Sequence, residues 1–175
     1  YLDLTNDISM LQRLEFAGVE VGARWQAIAD KVLPLSAARY FAFVDAHYVL
    51  ALAAAGRDDQ ADALLSAIRA AAAATPAQTI SAVTAAVNGA LCEGLLSFRR
   101  GHYARATEAI GPVREQIHLL GGSHAQRDLF DEILVECALR AGQHGLARQL
   151  LDDRRATRPG NRWNTDRLSR LAATY

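Results

Sequence analysis

A spacing of glycine, alanine and a large aliphatic residue occurs three times in this chain. Each glycine is followed five residues later by alanine and nine residues later by leucine or isoleucine: Gly56, Ala61 and Leu65; Gly101, Ala106 and Ile110; and Gly142, Ala147 and Leu151. Glycine ends one helix, and a small residue early in the next lets the two helices approach closely. The aliphatic residue lies one turn further along the same face. The pattern therefore predicts three helix hairpins packed side by side.

Helix start and stop signals extend this prediction along the chain, and strand signals are nearly absent. We expect nine helices, over residues 5–17, 23–33, 36–55, 58–74, 75–100, 101–120, 123–142, 143–159 and 161–175. They form one domain, with an N-terminal pair over 1–35, hairpins over 36–74, 75–121 and 122–160, and a capping helix over 161–175.

Particular residues set these boundaries. Pro34 is expected to end the second helix, and Ser36 to cap the third. Thr75 and Ser123 each begin a capping box with glutamine three residues later. Gly111-Pro112 predicts a kink in the sixth helix, because proline removes a backbone donor.

The glycine pattern resembles the tetratricopeptide repeat, in which each unit is a helix hairpin stacked on its neighbours. Here the glycines stand 45 and then 41 residues apart, against about 34 in that repeat, so longer helices are expected. The resemblance implies an all-α, tetratricopeptide-like α-α superhelix. It also implies that the first helix of each hairpin lines a concave side. The first two helices and the last are suited to covering the ends of the stack.

Longer segments resemble the tetratricopeptide repeat protein 38 family over essentially the whole chain. They are DLTNDISMLQRLEFAGVEVGARW, FVDAHYVLALAAAG, and LGGSHAQRDLFDEIL followed by ALRAGQHGLARQLL. Members of that family are longer, so the resemblance implies that this sequence is a C-terminal portion. Where members commonly have Asn-Asp-Ala-His, this chain has Val44-Asp45-Ala46-His47. The resemblance implies a helical-repeat fold and no particular activity or ligand.

Charge and cysteine content argue against several classes of function. Nineteen basic and nineteen acidic residues balance, so no overall field attracts nucleic acid or an anionic membrane. Between Arg140 and Arg170 eight arginines face three aspartates, but only Trp163 offers a stacking surface there, so nucleic-acid binding is not expected. Cys92 and Cys137 have no clustered ligands nearby, which indicates no disulfide, metal or cofactor. With no membrane span or leader expected, we predict a cytoplasmic protein.

Two ionisable residues interrupt an otherwise apolar third helix, which the pattern predicts to be buried. At 100° per residue, Asp45 and His47 point roughly oppositely and do not form a dyad. A buried charge requires a partner, so each residue is expected to join hairpins as a hydrogen-bonded structural group. The alternative is that one of them lines a ligand pocket with a shifted pKa.

The tetratricopeptide resemblance also places candidate binding residues on the predicted concave groove. The second hairpin contributes Asn88, Phe98 and Arg99, with Leu95, and the third contributes Glu132, Glu136 and Arg140 at intervals of four. A stripe of this kind also occurs as a solvated face with Glu–Arg pairing inside one helix. As a groove it would offer mixed charges to a peptide.

These observations predict a non-catalytic scaffold that binds a protein or peptide segment, or another part of a longer parent chain. The alternative is an enzyme or small-ligand receptor with a pocket near Asp45 and His47. No GxSxG, P-loop or GxGxxG motif accompanies them. Self-association through an uncovered end of the stack is a third possibility.

Overall fold

The computed structural model describes residues 2–38 and 41–173, and over these residues the chain forms nine helices and no strand. The helices are α1 (Leu2–Phe16), α2 (Arg24–Leu35), α3 (Ala42–Ala54), α4 (Asp58–Ala74), α5 (Thr79–Arg99), α6 (Tyr103–Ile110, continued by a 3₁₀ helix over Gly111–Leu120), α7 (His124–Arg140), α8 (His144–Thr157) and α9 (Arg162–Ala172). The prediction of an all-α chain is confirmed for this part of the sequence.

The repeated glycines lie in three tight turns, between α3 and α4, α5 and α6, and α7 and α8. Gly56, Gly101 and Gly142 have φ angles of 69°, 76° and 70°, a left-handed conformation that strains residues with a side chain. The helices on either side of each turn pack against each other. The alanine that follows each glycine by five residues is fully buried: Ala61, Ala106 and Ala147. The small residue therefore lies where the two helices meet.

Helix α3 lies at the centre of the core. Its residues from Ala42 to Ala53 are all buried. It packs against α1, α2, α4 and α5. A helix that is apolar on every side gains free energy from being covered on every side, which is why α3 takes this position.

The predicted boundary between the second and third helices is wrong. Helix α2 continues through Pro34 to Leu35, and Ser36 follows its end. The hydroxyl of Ser36 donates to the carbonyl oxygen of Leu33 (2.8 Å), and so satisfies the end of α2 instead of beginning α3. Helix α3 begins at Ala42. The predicted helical residues 39–40 lie outside the described residues, as do 174–175 at the predicted end of the last helix.

The capping box predicted at Thr75 is also wrong, for the same physical reason. The hydroxyl of Thr75 donates to the carbonyl oxygen of Ala71 (2.9 Å), at the end of α4. Helix α5 begins at Thr79 without a side-chain cap. The box at Ser123 does form: the Ser123 hydroxyl accepts from the Gln126 amide (3.3 Å), and the Gln126 side chain accepts from the Ser123 amide (2.8 Å).

Two helices change their winding along their length. At Gly111-Pro112, where the sequence predicts a kink, α6 changes from an α-helix to a 3₁₀ helix. Helix α5 contains a π-helical turn over Thr84–Asn88. Within residues 2–38 and 41–173, Thr79–Arg99 is the one helix long and apolar enough to cross a membrane, and 56% of its most apolar window is buried inside the fold. A core helix satisfies the same criterion.

Helix α1 packs against α2, together with which the sequence predicts it to cover an end of the stack. It lies against α3 and α7, and it buries Leu4, Ile8 and Leu11. Helix α9 packs against α8. Among the first helices of the three hairpins, α3 and α7 therefore pack against α1, and α5 contacts it through Phe98 and Arg99 at its C-terminal end.

Candidate functional site

The side of α3, α5 and α7 that contacts α1 is here called the inner face, and its residues are His47, Phe98, Arg99, Gln126 and Glu132. Each contacts a different part of α1, from the Gln126 amide near Asn6 (3.3 Å) to the Phe98 ring beside Phe16 (6.0 Å between ring centroids). Three residues of the predicted groove, Phe98, Arg99 and Glu132, belong to this face. Instead of an open groove, the structure has a surface occupied by a helix of the same chain.

Arg99 holds the C-terminal end of α1. Its guanidinium forms an ion pair with Glu15 and donates to the Gln12 side-chain oxygen (3.0 Å). The indole of Trp25 donates to the same Glu15 carboxylate (2.7 Å), and the Arg99 guanidinium lies 5.5 Å from the centre of that indole. Most of the Arg99 side chain is buried. These contacts connect α1, α2 and α5 through one carboxylate.

Glu132 holds the same end of α1 through Arg13. Its carboxylate accepts from the Arg13 guanidinium at 3.0 Å and lies 3.6 Å from that of Arg154 on α8. Arg13 also donates to the carbonyl oxygen of Ala125 (3.1 Å). Burial raises the pKa of Glu132, and the charge of Arg13 opposes that rise. The ion pair with Arg13 therefore stabilises a carboxylate that burial disfavours.

The interpretation of Glu132, Glu136 and Arg140 as a solvated stripe is wrong for its two glutamates. Glu132 is 5% exposed and Glu136 is 7% exposed. Glu136 forms an ion pair with Arg167 of α9, and it also pairs within its helix with Arg140 (3.4 Å). The arginines that cover these two glutamates belong to α1, α8 and α9. Because they are distant from the glutamates in sequence, no local spacing predicts the contacts.

Arg140 keeps an exposed position at the end of the inner face. It donates to the Tyr103 hydroxyl (3.2 Å). Together with Phe98 and Arg99, it lines a polar cleft of about 320 Å³ beside Glu15 and Phe16 of α1. The structure therefore brings three of the predicted binding residues together, at the point where the inner face reaches the surface.

Sequence reasoning missed the arginines of α8 and α9. Arg154 forms ion pairs with Asp128 and Glu132 and donates to Asn164 (3.0 Å). Burial opposes ionisation of Asp128, but hydrogen bonds from Arg154 and Arg158 lower its pKa. Arg154 is itself buried. A buried arginine in a helix rich in exposed charges has no distinguishing sequence signal, since burial depends on the packing of α8 against α7 and α9.

His47 belongs to the inner face and is fully buried. One ring nitrogen lies 2.8 Å from the Phe43 carbonyl oxygen, so it donates there, and the other lies 3.2 Å from the Ser9 hydroxyl of α1. The ring also packs against Phe130, with 5.1 Å between centroids. Burial lowers the pKa of His47 to about 4. The imidazole is therefore neutral and hydrogen-bonded on both sides at ordinary pH.

Asp45 and Asn88 lie away from the inner face. Asp45 is 3% exposed and lines a cleft of about 350 Å³ between α3, α4 and the start of α5. Asn88 was predicted to line the groove, but it is fully buried in the π-helical turn, where its side-chain oxygen accepts from the Cys92 thiol (3.5 Å). Its side-chain nitrogen has no hydrogen-bond partner among the described residues.

The two cysteines lie inside the core. Cys92 and Cys137 are buried free thiols, and burial raises the pKa of Cys137 to about 12. No group of three or more His, Cys, Asp or Glu side chains could hold a metal ion within residues 2–38 and 41–173.

No protein-family model matches this chain, and no solved structure matches it significantly.

Proposed function

We propose that this chain is a non-catalytic protein–protein interaction scaffold of tetratricopeptide-repeat type, whose inner face binds a helical protein segment. The observation that carries the proposal is the position of α1. A 15-residue helix lies on three non-consecutive helices, and its Arg13 and Glu15 meet oppositely charged residues of α7 and α5.

The inner face has the properties of a surface that recognises a helix. It offers a glutamate and an arginine whose positions match an arginine and a glutamate two residues apart on the bound helix. Apolar residues of α1 are buried beside these charges. Apolar burial supplies affinity, and the two ion pairs select the register and the partner.

The proposed occupant of the inner face is a helical segment of the parent chain. In this structure that segment is α1. A partner protein with the same arrangement of apolar residues, arginine and glutamate would compete with α1. The competition is unequal, because an attached segment has a high effective concentration. A substitution that weakens the contacts of α1 should therefore uncover the inner face and allow it to bind a partner.

The alternative, an enzyme or small-ligand receptor with a pocket near Asp45 and His47, has less support at His47. The two side chains face different environments, and His47 is fully buried against the rings of Phe43 and Phe130.

A labelled peptide with the sequence of residues 2–16 tests the proposal against three forms of the full chain. The wild type should bind it weakly, because its own α1 competes. A variant with R13E and E15R should bind it at least about tenfold more tightly. Adding R99A to that variant should remove most of this gain. Fluorescence anisotropy measures all three affinities.

Two controls separate recognition from general loosening. A peptide carrying the exchanged charges should bind the R13E/E15R variant poorly. An exchange at an exposed pair on α8, D152R with R155D, should leave the wild-type affinity unchanged, because that pair lies within one helix and is solvated. Equal binding of both peptides, or no binding to any variant that retains wild-type helix content, would refute the proposed face.

A further inference from the structure

A cleft of about 520 Å³ lies between α4 and α5, and its volume is within the range of sites that bind small molecules. Its charged residues are Arg69 and Glu93, one on each helix. Asp45 is not part of this cleft and lines the smaller one next to it. The rest of the wall is mostly apolar and includes Ala72, Ala73, Pro76, Ala82, Ala85 and Ala90. We call this site the alanine cleft.

The alanine cleft is open because the helices beside it carry small side chains. Residues 70–74 of α4 are all alanine, and a methyl group is too short to fill the space to the next helix. The π-helical turn Thr84–Asn88 begins in the opposite wall, and π turns occur frequently at functional sites. The space therefore follows from the short side chains of α4, beside an irregular turn of α5.

Arg69 reaches from α4 to α5 and is held there at two points. One terminal nitrogen of its guanidinium donates to the Gly89 carbonyl oxygen (3.2 Å) and to the Glu93 carboxylate (2.7 Å). Among the described residues, Nε and the other terminal nitrogen of Arg69 have no acceptor. A guanidinium has five N–H donors, so part of this group is available to a ligand while α5 holds its position.

The ion pairs at this end of the cleft leave one positive charge in excess. Glu93 pairs with Arg105 (2.9 Å) as well as with Arg69, so two guanidiniums share one carboxylate. Hydrogen bonds from Arg105 and from Arg69 lower the pKa of Glu93, which is therefore ionised at neutral pH. Within residues 2–38 and 41–173, no other carboxylate forms an ion pair with either arginine. The site thus joins an apolar wall to a guanidinium that is only partly neutralised.

We propose that the alanine cleft binds a small organic acid, a carboxylate on an apolar chain or ring. The carboxylate accepts hydrogen bonds from Arg69, and the apolar body lies against the alanines. Burial of that body supplies most of the affinity, and the excess positive charge selects an acid over a neutral or basic ligand. This proposal is independent of helix binding at the inner face.

Three probes of equal chain length test the charge requirement on the full chain: octanoate, octanol and octylammonium. Each is titrated at neutral pH and followed by the backbone amide chemical shifts of the nitrogen-15-labelled protein. Octanoate should bind at least about threefold more tightly than octanol, because Arg69 is half-exposed and solvent weakens its charge. Octylammonium should bind most weakly. Octanol or octylammonium binding as tightly as octanoate would overturn the proposal, as would the absence of any shift with octanoate.

Variants at Glu93 and Arg69 test the role of the arginine. E93Q removes the carboxylate that competes for Arg69, so octanoate should bind at least about threefold more tightly than to the wild type, with the affinity for octanol unchanged. R69Q should remove the advantage of octanoate over octanol. R155Q, at an exposed ion pair on α8, should bind both probes as the wild type does. An unchanged octanoate affinity in E93Q that retains wild-type circular dichroism would contradict the proposal, whether or not R69Q folds.

A matched pair of variants on α4 tests the location. Ala72 lines the alanine cleft, whereas Ala70 does not and is exposed. A72W should fill the space and abolish binding of octanoate, and A70W should bind it as the wild type does. Unchanged binding by folded A72W would overturn the assignment to this cleft.

Discussion

Asp45 and His47 lie two residues apart on the same buried helix, but their two sides of α3 are built differently. On the His47 side, aromatic rings and α1 close the space, and the imidazole is hydrogen-bonded on both sides. On the Asp45 side, alanines leave a cleft. The difference shows that burial of a polar residue does not define its role. The size of the side chains on the facing helix decides whether a polar residue is enclosed or lines a site.

The closed side should be the more sensitive of the two to loss of volume. Phe130 is fully buried and packs against both Phe43 and His47. F130A should lower the free energy of unfolding by about 3–5 kcal/mol, because it removes apolar contacts and leaves a cavity. Urea denaturation followed by circular dichroism measures this change. L119A, at an exposed position, should cost less than about 1 kcal/mol, and similar losses for the two variants would contradict the assignment of the core.

Burial of His47 on the closed side should also make the free energy of unfolding depend on pH. The pKa of His47 is about 4 in the folded chain, against about 6.5 for an unfolded histidine. As the pH falls from 6.5 to 4, the unfolded chain binds the proton first, so stability is lost over that range. The loss is on the order of 3 kcal/mol at the acid end. H47Q should show a smaller slope of unfolding free energy against pH, and an unchanged slope would show that His47 is not the group responsible.

The ion pairs on the two sides of α3 also differ in how far their side chains are exposed to solvent. Arg99, which holds α1 through Glu15, is mostly buried, whereas Arg105 pairs with Glu93 and is mostly exposed. R99A should cost about 1–3 kcal/mol, because it removes the ion pair with Glu15 and the hydrogen bond to Gln12. R105A should stay within about 0.5 kcal/mol. A double-mutant cycle of R99A with E15A should give a favourable coupling, and no coupling would indicate that Arg99 acts through packing alone.

The smallest effect is expected where the structure leaves space. A72W should change the free energy of unfolding by less than about 1 kcal/mol, because the indole enters a cleft that already exists. Gly94 on the same helix α5 provides the contrast. A side chain there would place its Cβ 2.3 Å from Cγ1 of Ile110, so G94A should cost about 1–3 kcal/mol. A larger loss for A72W than for G94A would show that the cleft is closed in solution.

Local signals in the sequence predicted much of the helical framework. The glycine turns at positions 56, 101 and 142 and the capping box at Ser123 form as predicted, because each depends on residues within one or two turns of each other. The boundaries at Ser36 and Thr75 were wrong, because a serine or threonine hydroxyl bonds equally well to the helix before it or the helix after it.

The candidate site was predicted less well. Residues of the predicted groove were correctly placed on α5 and α7, and Phe98, Arg99 and Arg140 do lie together. Asn88 was misplaced, since it is buried in the π-helical turn. The partners of Arg99 and Glu132 were not foreseen, because Glu15 and Arg13 are separated from them by 84 and 119 residues.

The sequence by itself determined that this chain is helical, where its tight turns lie, and which helix is apolar enough to occupy the centre. These properties follow from backbone conformation and hydrophobic periodicity, which act over a few residues. Only the tertiary structure decided that α1 covers the inner face and that the alanines of α4 leave a cleft beside Asp45. Both outcomes depend on which side chains meet across distant helices, and their volumes and charges combine only after the helices pack.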